Sequence, residues 1–123
     1  MTNLFIKKEN LKTINEEIKK HPRHGYELMK YSLPETALDV VLHHHEKYNG
    51  TGYPDGLNKD DISLFAKIAC LADVYDALTT NRCYAKARNP FEAIMTMKGE
   101  MIGHFEEEKF LTFIKMLGPG MNV

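Results

Sequence analysis

Apolar side chains recur along this chain at the spacing of helices, and no stretch shows the alternation of a half-buried strand. From Lys8 to Lys20, Leu11, Ile14 and Ile18 fall at i, i+3 and i+7 among charged residues, which predicts an amphipathic helix with a narrow apolar stripe. His21-Pro22 interrupts it, because proline restricts the residue before it and cannot continue the hydrogen-bond ladder. A short second helix is expected from about Pro22 to Lys30, with Tyr26 and Met29 facing inward. Ser32-Leu33-Pro34-Glu35 combines capping-box spacing with a first-turn proline. A third helix should start there, with Leu38, Val41, Leu42 and His45 on one face.

The longest periodic stretch runs from about Ser63 to Thr80, with Phe65, Ile68, Leu71, Ala72, Tyr75 and Leu78 at helical spacing and Asp60 or Asp61 as its cap. Asn89-Pro90-Phe91-Glu92 repeats the cap, proline and glutamate signal for a helix through about Lys98. A last helix, about Glu106 to Leu117, sets Phe110, Ile114 and Leu117 on one stripe before Gly118-Pro119-Gly120 ends it. The expectation is an all-α bundle of about five to six helices.

The 123 residues suit one domain, 1–123. Sixteen basic against seventeen acidic side chains give a net charge of −1, and no run of five or six like charges marks a nucleic-acid footprint. No stretch reaches the ~18 apolar residues of a membrane span, and the first residues lack the apolar core of a signal peptide. A cytoplasmic protein is expected. Cys70 and Cys83 belong to no Cys-x-x-Cys pattern and read as reduced thiols.

The chemistry concentrates between His43 and Pro54, HHHEKYNGTGYP. Histidines end a helix, and Asn49, Gly50, Gly52 and Pro54 then turn the backbone. Gathered by residue type, the candidate ligands are His21, His44, His45 and Asp73, with His24, His43, Glu46 and Asp76 as neighbours. By the ~3.6 residues per turn of a helix, His44 lies about 100° round from His45, so a metal between the two directions is within reach of both. Imidazole and carboxylate without thiolate suit iron, manganese, zinc or nickel. Asp73 falls in a strongly apolar stretch, where a carboxylate needs a partner. By residue type alone a plainer reading stands beside this one. The histidines are then a solvated helix C-terminus whose positive charge suits the helix dipole, and Arg82, Lys86 and Arg88 a solvated face.

HHEKYNGTGYPDGL, followed by IACLADVYDALTTNRCY, closely resembles the HD-GYP family of metal-dependent phosphohydrolases, which are all-helical and hydrolyse the bacterial second messenger cyclic di-GMP. His21-Pro22 with Gly25 resembles the family's HP-x-x-G element, and the likeness runs from about Leu4 to Leu117. It implies that His21, His44, His45 and Asp73 hold divalent metal, iron or manganese before zinc or nickel. It further implies that Glu46 is a structural acid beside them, that Gly50, Gly52, Tyr53 and Pro54 form the rim, and that Asp76, Arg82 and Lys86 face a cyclic dinucleotide.

The likeness has three departures. The family's His-Asp pair is absent, as no histidine precedes His21; Ala85 stands where a basic residue is common; and Asn49 replaces an aspartate. The expectation is therefore a partial domain, lacking the N-terminal part of the family fold and weak or inactive in hydrolysis by itself, with homo-oligomers formed over uncovered apolar surface. The alternative is a non-catalytic module that docks a partner such as a diguanylate cyclase through the Gly50 to Pro54 loop.

Overall fold

The computed structural model describes residues 8–81 and 85–118, with side chains from Thr13 onward. Six α-helices follow in order: α1 Lys8–Ile18, α2 His21–Met29, α3 Glu35–His43, α4 Leu64–Thr79, α5 Pro90–Glu100 and α6 Glu107–Leu117. A 3-10 turn, Lys59–Asp61, precedes α4, and the described residues contain no β-strand element.

The helix starts follow local chemistry. At α5 the expected capping box forms in full: the Glu92 backbone N–H donates to Asn89 Oδ1 at 2.8 Å, and the Asn89 N–H donates to Glu92 Oε1 at 3.2 Å. α4 departs from expectation, since Ser63 caps it through a 3.2 Å bond from the Ala66 N–H while Asp60 and Asp61 sit in the 3-10 turn. α3 also departs. Its N-cap is Pro34, which offers no side-chain oxygen, so the Ser32 box is not made.

α4 packs against α3, α5 and α6 and is the hub of the fold. The core lies on its α5 and α6 side, where Leu71, Ile94, Met97, Phe110 and Ile114 are buried together, with Val74, Tyr75 and Leu78 packed against them. The buried face of α4 itself is Ala66, Cys70 and Leu71. Phe65 and Ile68, expected inward, are 58% and 46% exposed, and they border an open groove with Thr36, Ala37 and Val40 of α3. Met29, Ile14 and Ile18 are likewise exposed.

α2 lies close on α3, and at Gly25 an added Cβ would come within 3.0 Å of Val41 Cγ1. Among the described residues no helix is long and apolar enough to cross a membrane. Cys70 is a buried free thiol, pushed up to about 11 by burial and then by Asp73, with Lys47 opposing. Cys83 lies outside the described residues.

Candidate metal centre

The ends of two helices meet at the site. α3 finishes at His43, His44 is its C-cap, and His45 lies in the turn beyond. The expected 100° divergence therefore does not apply: the backbone turns, and the His44 and His45 ring centroids come to 4.1 Å. His21, the first residue of α2, brings its ring to 5.8 Å from His44 and 4.9 Å from His45. One ligand atom from each of these three histidines lies within 4.8 Å of the others.

The ring hydrogen bonds decide which nitrogens are available. His44 Nδ1 lies 2.8 Å from the Val40 carbonyl oxygen and 3.1 Å from that of Val41, and His21 Nδ1 lies 2.6 Å from the Ile18 carbonyl. A carbonyl can only accept, so Nδ1 carries the proton in both rings and Nε2 keeps its lone pair. The same bonds tie each ring to the last turn of α1 or α3, where the Val40 carbonyl also accepts the His44 backbone N–H at 3.0 Å. His45 is held neutral by a different cause: burial first, then His44 and His21, push its pKa down to about 4, against Asp73. Two oriented imidazoles and one that resists protonation make a donor set that fits a divalent metal.

Asp73, on α4, lies outside the 4.8 Å group and is exposed, in contrast to the buried setting its apolar neighbours suggested. Its charge still acts on His45, Tyr53 and Cys70. It thus borders the histidines from the facing helix.

The glycine loop is built into the centre. Tyr53 stacks on His45 with centroids 5.0 Å apart and planes 17° from parallel, and its N–H donates to the His45 carbonyl at 3.3 Å. Burial, then Asp73 and Cys70, raise the Tyr53 pKa. Pro54 follows it through a cis bond. Gly52 sits where a Cβ would be 2.4 Å from the His45 carbonyl oxygen and 2.5 Å from Lys47 N, so only hydrogen fits. Gly50 has φ +82°, a left-handed conformation that glycine adopts without steric cost. Glu46 is 2% exposed, and its carboxylate accepts from the Asp55 N–H at 2.7 Å and the Leu57 N–H at 2.9 Å, closing the loop from inside.

One network was not read from the sequence. His43 bonds through Nδ1 to Asp39 at 2.9 Å and through Nε2 to Asp55 at 2.8 Å, Arg23 donates to Asp55 at 2.7 Å, and Ser63 donates to Asp39. It ties α2, α3, the loop and the cap of α4 into one frame. Burial opposes charge on His43, but the bonds to the two aspartates outweigh it and raise its pKa. The i, i+4 spacing of Asp39 and His43 was a visible signal; the partners Asp55, Arg23 and Ser63 come from distant sequence.

Of the residues expected to face substrate, Lys86 and Asp76 are exposed, and Asp76 Oδ1 accepts from Thr80 Oγ1 at 3.2 Å. Arg82 lies outside the described residues.

The HD domain family pattern matches residues 1–108. The chain belongs to the HD domain family. The likeness of the HHEKYNGTGYP run and of the proteins below places this HD domain with the HD-GYP group. It is 44% identical over 103 residues to a cyclic di-GMP phosphodiesterase of Pseudomonas aeruginosa, covering 82% of this chain and 25% of that protein. To the cyclic di-GMP phosphodiesterase response regulator RpfG of Xanthomonas campestris it is 47% identical over 73 residues, covering 57% of this chain and 19% of that protein. A 3'3'-cGAMP-specific phosphodiesterase of Vibrio cholerae is 37% identical over 98 residues, covering 72% of this chain and 18% of that protein. The chain thus spans a quarter or less of the length of these relatives. In fold it is similar to Bd1817, an HDG"Y"P protein from Bdellovibrio bacteriovorus, with a TM-score of 0.71 at 24% identity, covering 91% of this chain and 34% of that one.

Proposed function

We propose that this HD domain is the metal-holding part of a phosphodiesterase acting on cyclic dinucleotides, with cyclic di-GMP as substrate and iron or manganese ahead of zinc or nickel as the metal. The observation that carries the reading is the convergence of His21, His44 and His45 within 4.8 Å, with two Nδ1 atoms committed to carbonyls. A divalent metal, when bound, supplies Lewis acidity toward phosphoryl oxygens and an activated water at neutral pH. His21 and His44 offer Nε2, His45 remains neutral, and Asp73 adds the negative charge that three imidazoles lack. Glu46 and Gly52 set the loop that keeps Tyr53 against His45. Lys86 and Arg82 hold a substrate phosphate as charge-assisted donors, and Asp76 faces the same substrate.

Hydrolysis by the 123-residue chain alone is expected to be weak or absent, since three histidines and one aspartate are few donors for a pair of metals. In the second reading, a signalling partner of the diguanylate cyclase type docks on the Gly50 to Pro54 loop without catalysis. It draws less support, because the Tyr53 ring is turned onto His45. Metal content of the purified chain by plasma mass spectrometry tests the choice. About one or two metals per chain are expected, with loss in His44→Ala and reduction in Asp73→Ala. A metal-free wild-type chain, or unchanged content in His44→Ala, would refute the proposal.

A further inference from the structure

A cleft of about 510 Å³, lined by Lys19, Lys20, Arg23, His24, Tyr53 and Pro54, shares Tyr53 with the histidine cluster. Its chemistry differs from that of the metal centre: among the described residues, four basic side chains and one aromatic ring line it, and no carboxylate does. Two of the cations are already engaged, Lys20 with Glu17 at 2.9 Å and Arg23 with Asp55 at 2.7 Å. The Lys19 ammonium has no acidic partner among the described residues and lies 5.8 Å from the centre of the Tyr53 ring. His24 is exposed, with no described hydrogen bond to its ring. Charge is thus left over where an aromatic wall stands, and that wall is the ring that also stacks on His45.

We infer that this cleft is a nucleotide subsite, which takes the half of a cyclic dinucleotide that is not being cleaved. Its phosphate lies on Lys19 and His24, and its base lies along Tyr53. The inference rests on the proposed substrate class and extends it, because nothing on the α1 to α2 side was read as substrate-binding from the sequence. Three physical points carry it. The volume falls within the usual range of ligand clefts, about 300–1,000 Å³. An ammonium with no acidic partner among the described residues is a point-charge phosphate contact that needs no rearrangement of a described salt bridge. A cyclic dinucleotide has a second phosphate close to the first, so a site that holds one at the histidines must place the other within a short reach, and Tyr53 is shared by both places. Arg23 stays with Asp55 and serves as the fixed rim.

The test is titration calorimetry of the manganese-loaded chain with a phosphorothioate analogue of cyclic di-GMP, which resists hydrolysis. Lys19→Ala should weaken binding about tenfold, as expected for a lost charge-assisted contact, and the double variant with His24→Ala should weaken it further. Manganese content and melting temperature should stay at the wild-type values. The salt dependence of binding should become shallower in Lys19→Ala, a change that a structural defect does not produce. Lys98→Ala, on α5, is the control and should bind as wild type. Wild-type affinity in the double variant would overturn the subsite and leave the proposed function standing. No binding by the manganese-loaded wild-type chain would overturn the subsite and the substrate class together, with the metal site intact. Inorganic phosphate in parallel should bind far more weakly, because it has no base for Tyr53; equal affinity would reduce the cleft to a simple anion site and overturn the nucleotide assignment.

Discussion

A methyl group added at Gly52 would stand 2.4 Å from the His45 carbonyl oxygen and 2.6 Å from Glu46 Cα. Both neighbours are backbone, so neither can rotate away. Gly52→Ala should therefore destabilise the protein by about 1–3 kcal/mol, the usual cost of forcing volume into a filled space. It should also lower metal content, because the displaced backbone carries His45. Thermal melting and plasma mass spectrometry check it, and wild-type values in both would remove Gly52 from the framework of the site. At this scale much of the site was readable. Histidines at a helix end, glycines just after them and a buried glutamate between are visible as residue types. The roles of individual nitrogens were not, because they depend on which carbonyl each ring meets.

Among the elements, α4 shows where periodicity succeeds and where it stops. Its apolar spacing marks a helix, and the helix runs Leu64–Thr79. The same spacing put Phe65 and Ile68 inside together with Leu71, yet Leu71 is 3% exposed and Phe65 58%. A helical period says that apolar residues share a surface; it does not say which part of that surface receives a neighbour. Leu71→Ala should cost about 2–5 kcal/mol by leaving a cavity in the core. Phe65→Ala should change stability by no more than about 0.5 kcal/mol, as for a surface position. Denaturant unfolding of the two variants separates them, and an equal loss in both would mean that Phe65 is covered in solution.

At the level of the whole molecule, α4 is tied to the start of α6 through charge. Lys67 reaches Glu106 at 3.0 Å and Asp60 at 3.3 Å, and Lys109 reaches Glu106 at 3.1 Å. Lys67 first, then Lys109, hold the Glu106 carboxyl below its ordinary value. The unfolded chain therefore takes up this proton at higher pH than the folded one does. The stabilisation is fully present above the ordinary carboxylate range and is lost as pH falls through the folded value. Wild type should melt above Glu106→Gln at about pH 6, and the gap should narrow as pH falls below the ordinary carboxylate range. A gap that does not narrow on acidification would show that the pair does not carry the difference.

By itself the sequence determined the all-helical class, the approximate span of each helix, the α5 cap and the candidate ligands. Each of these rests on interactions within a few residues: helical period, caps and turn chemistry. The tertiary structure decided what depends on residues far apart in the chain. It brought His21 to His44 and His45, left Asp73 exposed at their border, turned Tyr53 onto His45, and joined His43 to Asp55, Arg23 and Ser63. It also chose Ser63 over Asp60 and Asp61 as the α4 cap. Local chemistry limits each segment to a few conformations, and packing between segments selects which side chains meet.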